Sequence, residues 1–256
     1  FFKEKFPLKN LNISTKSLEI KNLISFLRNI NNTPQFYFLD KIIKKGFLIA
    51  DIKIDFDDNG KIKNNFKING FLRDVKISFL ENYKIDKLNL NFEVNHKKYF
   101  LEEIKFKLNE IPIISKKIDI ENIKDEYLVS GEIENKSIEF NKEAINLLIK
   151  PFFEKIDILN LHLKSKNKFS LKIINGYKIK NFEIASQVDL ESLLLKNNFN
   201  FNYFFPDSKK EIDLRNHLIN LNFKEKKLSI DGKGNILLQK NNDKISYSIN
   251  KYKKKI

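Results

Sequence analysis

The stretch GFLIADIKIDFDDNGKIKNNFKINGFLRDVKISF, Gly46–Phe79, decides the fold. Apolar and polar residues alternate along it. Ile52, Ile54 and Phe56 fall on one side of an extended chain, and Asp51, Lys53 and Asp55 on the other. Past a polar turn, Ile62, Phe66 and Ile68 alternate with Lys61, Lys63, Asn65 and Lys67. A period of two sustained over this length is the pattern of half-buried β-strand, with one apolar face and one wet face. A two-residue Asn59-Gly60 turn would set Phe56 opposite Lys63. A three-residue loop, Asp58-Asn59-Gly60, pairs Phe56 with Ile62 and Ile52 with Phe66, and gives Gly60 the left-handed conformation of a bulged hairpin.

Working outward, the same alternation predicts strands over 47–56, 61–69, 71–79, 87–95, 99–108, 111–121 and 127–134. It resumes over 157–164, 168–174, 177–185, 199–205, 217–223, 227–238 and 244–250. Asn69-Gly70 fits either a hairpin turn or a bulge in one long strand, and residues 186–196 fit either helix or strand. Ile174-Asn175-Gly176 repeats the loop device of the first hairpin, pairing Ile173 with Tyr177 and Leu171 with Ile179. Three helical segments interrupt the pattern. Ile20, Leu23, Ile24, Leu27 and Ile30 recur at three- and four-residue spacing between Ser17 and Asn31. Phe36–Lys45 reads as a second short helix stopped by Gly46. Ala144, Ile145, Leu148 and Ile149 suggest a third within 141–154, with Pro151 near its end.

The expected fold class is mainly β, with long antiparallel strands and a few short helices; uneven strand lengths and no evident closing pair point to a curved, open sheet, and the resemblance described below implies that it is trough-like. Residues 1–45 carry a leading strand and short helices, 46–140 a first β-meander, 141–154 a helical interruption and 155–256 a second β-meander. A short phrase recurs in Leu88-Asn-Leu-Asn-Phe92, Leu159-Asn-Leu-His-Leu163 and Ile219-Asn-Leu-Asn-Phe223. Its spacing is irregular, so the strands are similar without a fixed repeat period.

Composition narrows the chemistry. All of the 48 basic residues except Arg28, Arg73 and Arg215 are lysine, and the net charge is +15. Lys, Asn, Ile and Phe are residues of A+T-rich codons, so part of this charge reflects drift. Nucleic-acid readers lean on arginine for bidentate contacts, and the lysines read instead as solvated strand faces; no specific nucleic acid is expected as a partner. The absence of Cys removes disulfides, thiolate metal sites and thiol nucleophiles. With no Met at position 1 or elsewhere, the chain is expected to be a segment of a longer or processed product. No apolar run reaches the length of a spanning helix.

Asp55-x-Asp57-x-Asn59-Gly60 opens like a calcium loop, but the position of the bidentate Glu is Phe66 and the flanks are strands, so a turn is expected there. His96, His162 and His217 are far apart in sequence and read as solvated histidines. No phosphate loop, nucleophile elbow or hydrolase signature occurs. The reading is of a non-enzymatic protein with no catalytic residues, no metal and no cofactor. What stands out is apolar surface. Ile52, Ile54, Phe56, Ile62, Phe66, Ile68, Leu88, Leu90, Phe92, Ile104, Phe106, Leu171 and Ile173 are the candidate residues of an apolar groove. An open sheet exposing them to water would aggregate unless something covered it. A lipid acyl chain is one such cover.

Gly46–Phe79, followed by KIDKLNLNFEVNHKKYFLEEIKFKLN (Lys84–Asn109), LVSGEI (Leu128–Ile133) and LSIDGKGNILLQ (Leu228–Gln239), resembles the AsmA-like family of bacterial envelope proteins, the AsmA, TamB and YhdP type. The shared style is a glycine-initiated strand, an F-D-x-x-G-x-I hairpin, an I-x-G-x-L/I-x-D strand and an I-x-x-L-x-L-x-F strand, over most of residues 40–250. The resemblance implies long sheets curled around an apolar interior, periplasmic, anchored to the inner membrane by a segment not present here. It implies transfer of phospholipid toward the outer membrane, with phospholipids, inner- and outer-membrane components and neighbouring segments of the same chain as partners. The Lys/Asn richness and the missing N-terminal membrane helix depart from the family. A structural β-scaffold with a closed core is the alternative, and a polyanion-binding module on the lysine faces a third.

Overall fold

A computed structural model describes residues 8–30, 33–79, 83–124, 126–150, 156–174, 178–196, 206–207 and 209–252. The chain opens with β1 (Asn10–Ser14), β2 (Leu18–Glu19), α1 (Ile20–Ile30) and α2 (Pro34–Ile42). A meander follows: β3 (Ile43–Asp55), β4 (Lys67–Phe79), β5 (Tyr83–Asn95), β6 (Lys98–Leu108), β7 (Ile111–Ile123) and β8 (Glu126–Glu139). Helix α3 (Lys142–Ala144) runs into a π-helical turn (Ile145–Ile149). Then come β9 (Ile158–Ile174), β10 (Lys178–Lys196), β11 (Glu211–Lys224), β12 (Lys227–Leu237) and β13 (Asp243–Tyr252). Hydrogen-bonded neighbours follow chain order from β3 to β13, with β1 and β2 both on β3. The strands pair antiparallel, as the alternation and short turns predict, and among the described residues the ends of this order do not pair, so the sheet is open.

The first hairpin partly matches its expected register. Gly60 is left-handed (φ 78°) and Phe56 bridges Ile62. Ile52, however, faces Ile68 and not Phe66. The cause is a second turn at Asn64-Asn65. The Lys63 amide donates to the Asp55 carbonyl at 2.8 Å and the Asn65 side chain to the Asp55 carboxylate at 2.7 Å, which adds residues before β4 begins. Of the expected strands 61–69 and 71–79, residues 67–69 join 71–79 in the single strand β4, while 61–66 are loop and turn apart from the isolated bridge at Ile62. Asn69 and Gly70 lie in the regular ladder of β4 opposite Asp51 and Ala50. Gly70 is required there, because a Cβ would sit 2.2 Å from the Ile49 carbonyl and 2.8 Å from the Phe92 ring.

The calcium-like loop is closed by its own backbone. Asp57 accepts hydrogen bonds from the amides of Asn59 (2.8 Å) and Lys61 (2.9 Å). These bonds, that from Lys61 foremost, hold its carboxyl below the usual aspartate range. With the folded value depressed, the loop's stabilisation is present above the unfolded value and lost as pH falls through the folded one. The Asn59 and Lys61 amide proton shifts should therefore move toward their unbonded positions on acidification, and Asp57→Ala should move them there at neutral pH. Unchanged shifts in that variant would show that the turn does not depend on the carboxylate.

The remaining corrections concern length. Residues 158–164 and 168–174 are parts of one strand, β9; 178–185 and the ambiguous 186–196 are one strand, β10. Helix α2 ends at Ile42, and β3 starts three residues ahead of the glycine expected to stop it. The segment 199–205 and the loop at 175–177 lie outside the described residues. Bulges punctuate the long strands, with left-handed Asp74, Lys87, Glu103 and Asn216 (φ 51°, 53°, 52° and 54°) at the register shifts. Each adds one residue, so the apolar sequence phase slips by one and the side chains still meet on one face. Asn89 ties two bulges together: its amide nitrogen donates to the Lys87 carbonyl (2.8 Å) and its oxygen accepts from the Asp74 amide (3.1 Å). Asn109-Glu110 and Glu225-Lys226, positive in φ at both positions, make tight hairpin turns between β6 and β7 and between β11 and β12.

The chain divides into two compact units. The first comprises Phe1–Asn109, Ile114–Gly131 and Ile173–Lys178, and the second Glu110–Ile113, Glu132–Lys172 and Ile179–Ile256.

Candidate functional site

In the first unit, register brings most of the candidate residues onto one face, since directly opposed residues of antiparallel strands point the same way. Ile13, Ile52, Ile68 and Val94 form one cross-strand row, and Ala50, Gly70, Phe92 and Leu101 the next. Leu48, Leu72 and Leu90 form a third, with Val75 and Leu88 paired beyond the bulge. The residues between them carry the charges of the opposite face, including the ion pairs Lys67–Glu93 (2.9 Å) and Lys76–Asp86 (3.0 Å).

One end of this face is roofed by helix. Ile20 and Ile24 of α1 are buried against Val75, which is 1% exposed, with Leu39, Ile43, Leu48, Leu72, Ile77 and Leu88 packed around them. Away from the helices, Ile52, Ile54, Phe56, Phe66, Ile68, Phe92 and Phe106 are half-buried. Leu90 and Ile104 are buried, and Ile62 lies exposed in the hairpin loop. Of the two candidates on β9, both half-buried, Ile173 belongs to the first unit and Leu171 to the second. The face is thus a continuous set of rows on β3 to β5, reaching β6 through Leu101.

The second unit repeats the arrangement. Ile111, Phe140, Ala144, Ile145, Leu161 and Leu190 form its buried cluster, with α3 and the π-helical turn supplying the cover. Beyond it, Val188 faces Ile219, and Ile184 faces Phe223, all of them half-buried. His217 was expected in solvent, yet it is fully buried. The reason is its register, opposite Leu190 on the apolar face. Its Nε2 lies 2.9 Å from the Asn235 carbonyl, which can only accept, so Nε2 carries the proton and Nδ1 accepts from the Tyr247 hydroxyl at 3.3 Å. Burial pushes the Tyr247 phenol pKa up.

A concavity of about 1110 Å³ lies in the second unit, where Val188, Leu218, Ile219 and Tyr247 line it together with polar strand residues such as Lys164, Gln187, Asp189 and Lys233. None of the thirteen candidate residues lines it. Lys164 pairs with Asp189 at 2.9 Å, and the hydrogen bond its ammonium donates to that carboxylate raises the Lys164 pKa. Nearby, Ser137, His162 and Glu191 meet in a group with the residue types of a nucleophilic triad. The geometry differs. Ser137 lies 2.8 Å and Glu191 3.3 Å from the same ring nitrogen, Nε2, and Ser137 also donates directly to Glu191. A relay needs the acid on the other nitrogen, so the trio is arranged as a cross-strand polar ladder.

Among the described residues no group of three or more His, Cys, Asp or Glu could hold a metal, and no helix is long and apolar enough to cross a membrane. Sequence reasoning overlooked Leu48, Leu72, Val94 and Leu101 as members of the first unit's face, and Val188 and Ile219 in the second unit. Their signal is present as three-residue steps, Leu72 to Val75, Ile85 to Leu88 and Leu101 to Ile104, each marking a bulge that keeps the phase. These features define a class: an open antiparallel β-sheet protein with a partly roofed apolar face. No family model, curated protein or solved structure matches the chain.

Proposed function

We propose that the uncovered apolar face of β3 to β6 holds phospholipid acyl chains, and that the protein is a non-enzymatic lipid-binding or bridge-like lipid-transfer module. The observation that carries this reading is the half-burial of Ile52, Ile68 and Phe92 in aligned rows, beside a helix-roofed end where Val75 is closed to solvent. An acyl chain laid along these rows gains about 0.8 kcal/mol per buried methylene. Headgroups would remain in water at the margins, where lysines are plentiful, and passage along the face needs no bond to be made or broken. The resemblance to the AsmA-like family points the same way and suggests a periplasmic setting between inner and outer membrane.

The test is to purify the parent chain and the paired variant Ile52→Asp with Ile68→Asp, extract each, and quantify bound phospholipid by mass spectrometry alongside thermal unfolding. The expected result is phospholipid on the parent and little on the variant, with both folded. A parent without lipid, together with a variant that unfolds, would instead favour a structural scaffold whose inner face is core.

A further inference from the structure

We infer that the helical hairpin of α1 and α2 seats the first unit on an anionic lipid bilayer. The inference rests on the lipid reading for its purpose and on separate residues for its support. Helix α1 is fixed by Ile20 and Ile24, buried against Val75. The side opposite them is polar, with Asn22, Ser25 and Asn29, but the apolar side runs on past the buried residues: Phe26 is 60% and Ile30 68% exposed, one helical turn apart on its flank. Helix α2 buries no residue fully, and Tyr37 and Phe38 are 58% and 57% exposed. A helix on a water-facing surface ordinarily turns polar residues outward. Here helices of 11 and 9 residues turn out four large apolar side chains.

The charge around them is one-sided. Residues 8–45 hold seven basic side chains and two acidic ones. Both acids are already engaged, Asp40 with Arg28 and Glu19 with the Asn22 side chain. Arg28 also lies over the Tyr37 ring at 5.4 Å, which binds α1 to α2 as one body. Lys16, Lys41, Lys44 and Lys45 remain exposed. Outward aromatic and aliphatic side chains flanked by lysines suit an interfacial helix: the apolar groups enter the acyl boundary while the lysines meet anionic headgroups. A second copy of the same surface would bring its own surplus of positive charge, so charge complementarity favours the bilayer.

The experiment is co-sedimentation of the full chain with vesicles of equal parts phosphatidylethanolamine and phosphatidylglycerol, and with phosphatidylcholine vesicles as the neutral arm. The parent should bind the anionic vesicles and bind the neutral ones at least about tenfold more weakly. The triple variant Phe26→Ser, Ile30→Ser, Phe38→Ser should lose at least about tenfold in binding to anionic vesicles. These side chains are exposed, so its thermal unfolding should match the parent. A second variant, Lys41→Gln with Lys45→Gln, keeps the apolar groups and should lose the preference for anionic over neutral vesicles. Vesicle binding unchanged in the triple variant would overturn the inference. So would parent chains that pair through these residues without lipid. The groove variant Ile52→Asp, Ile68→Asp should still bind vesicles, so the hairpin and the acyl-chain face can fail separately.

Discussion

Val75→Asp should unfold the first unit, whereas Ile68→Asp, on the same strand and the same face, should leave it folded. Val75 is 1% exposed beneath Ile20 and Ile24, and no water reaches a carboxylate placed there. An unpaired buried charge costs several kcal/mol even when its pKa shifts to neutralise it. That is a large part of the roughly 5–15 kcal/mol that holds a typical domain together. Ile68 faces Ile52 on one side and Val94 on the other, is half-buried, and has no helix above it. Its replacement forfeits a share of the roughly 1.5–3 kcal/mol of a fully buried aliphatic side chain, and the new carboxylate stays hydrated. Urea unfolding followed by far-ultraviolet circular dichroism should show a lost or sharply lowered transition for Val75→Asp and a modest shift for Ile68→Asp. Equal collapse of both variants would mean that the face is filled along its whole length, and the acyl-chain reading would fall with it.

That contrast marks the limit of what the sequence alone reveals. Ile68 and Val75 are both apolar residues of one alternating strand, and their pattern specifies that they face inward. Nothing local records which one lies under a helix, because cover is a tertiary property. The β class and the first loop were legible for the opposite reason. Alternation is a local signal, and the Asp57 side chain and Gly60 fix the turn by contacts within a few residues. The register beyond the loop was not legible, because Asn64-Asn65 adds a turn that depends on hydrogen bonds to Asp55 from across the hairpin. His217 misled for a related reason. Its neighbours Arg215, Asn216 and Asn220 suggest water, but left-handed Asn216 advances the phase and turns the imidazole onto the apolar face. The recurring Leu-Asn-Leu-Asn-Phe phrase acquires a meaning only in the fold. In its first copy the apolar residues Leu88, Leu90 and Phe92 form rows while Asn89 joins bulges on neighbouring strands.

Gly234→Ala should destabilise the second unit by about 1–3 kcal/mol or more, the range of overpacking, and Gly232→Ala by less. Both glycines lie on β12 and face aromatic rings, so a count of contacts would rank them together. The difference lies in what must move. A Cβ at Gly232 would meet the Tyr247 ring and hydroxyl at 2.3–2.5 Å. Tyr247 sits on β13, which ends the strand order, and its ring can swing outward at the cost of its contact with His217. A Cβ at Gly234 would meet the His217 ring at 2.3 Å and its Cα at 2.8 Å. His217 is fully buried and held by the Asn235 carbonyl, and its backbone belongs to a bulge between two paired strands. Relief therefore demands that β11 and β12 separate. Chemical denaturation of the two variants, read against the parent, measures the difference. If Gly234→Ala costs no more than Gly232→Ala, the imidazole is not pinned as its two hydrogen bonds and its burial require, and a mobile His217 should then show in its ring proton shifts.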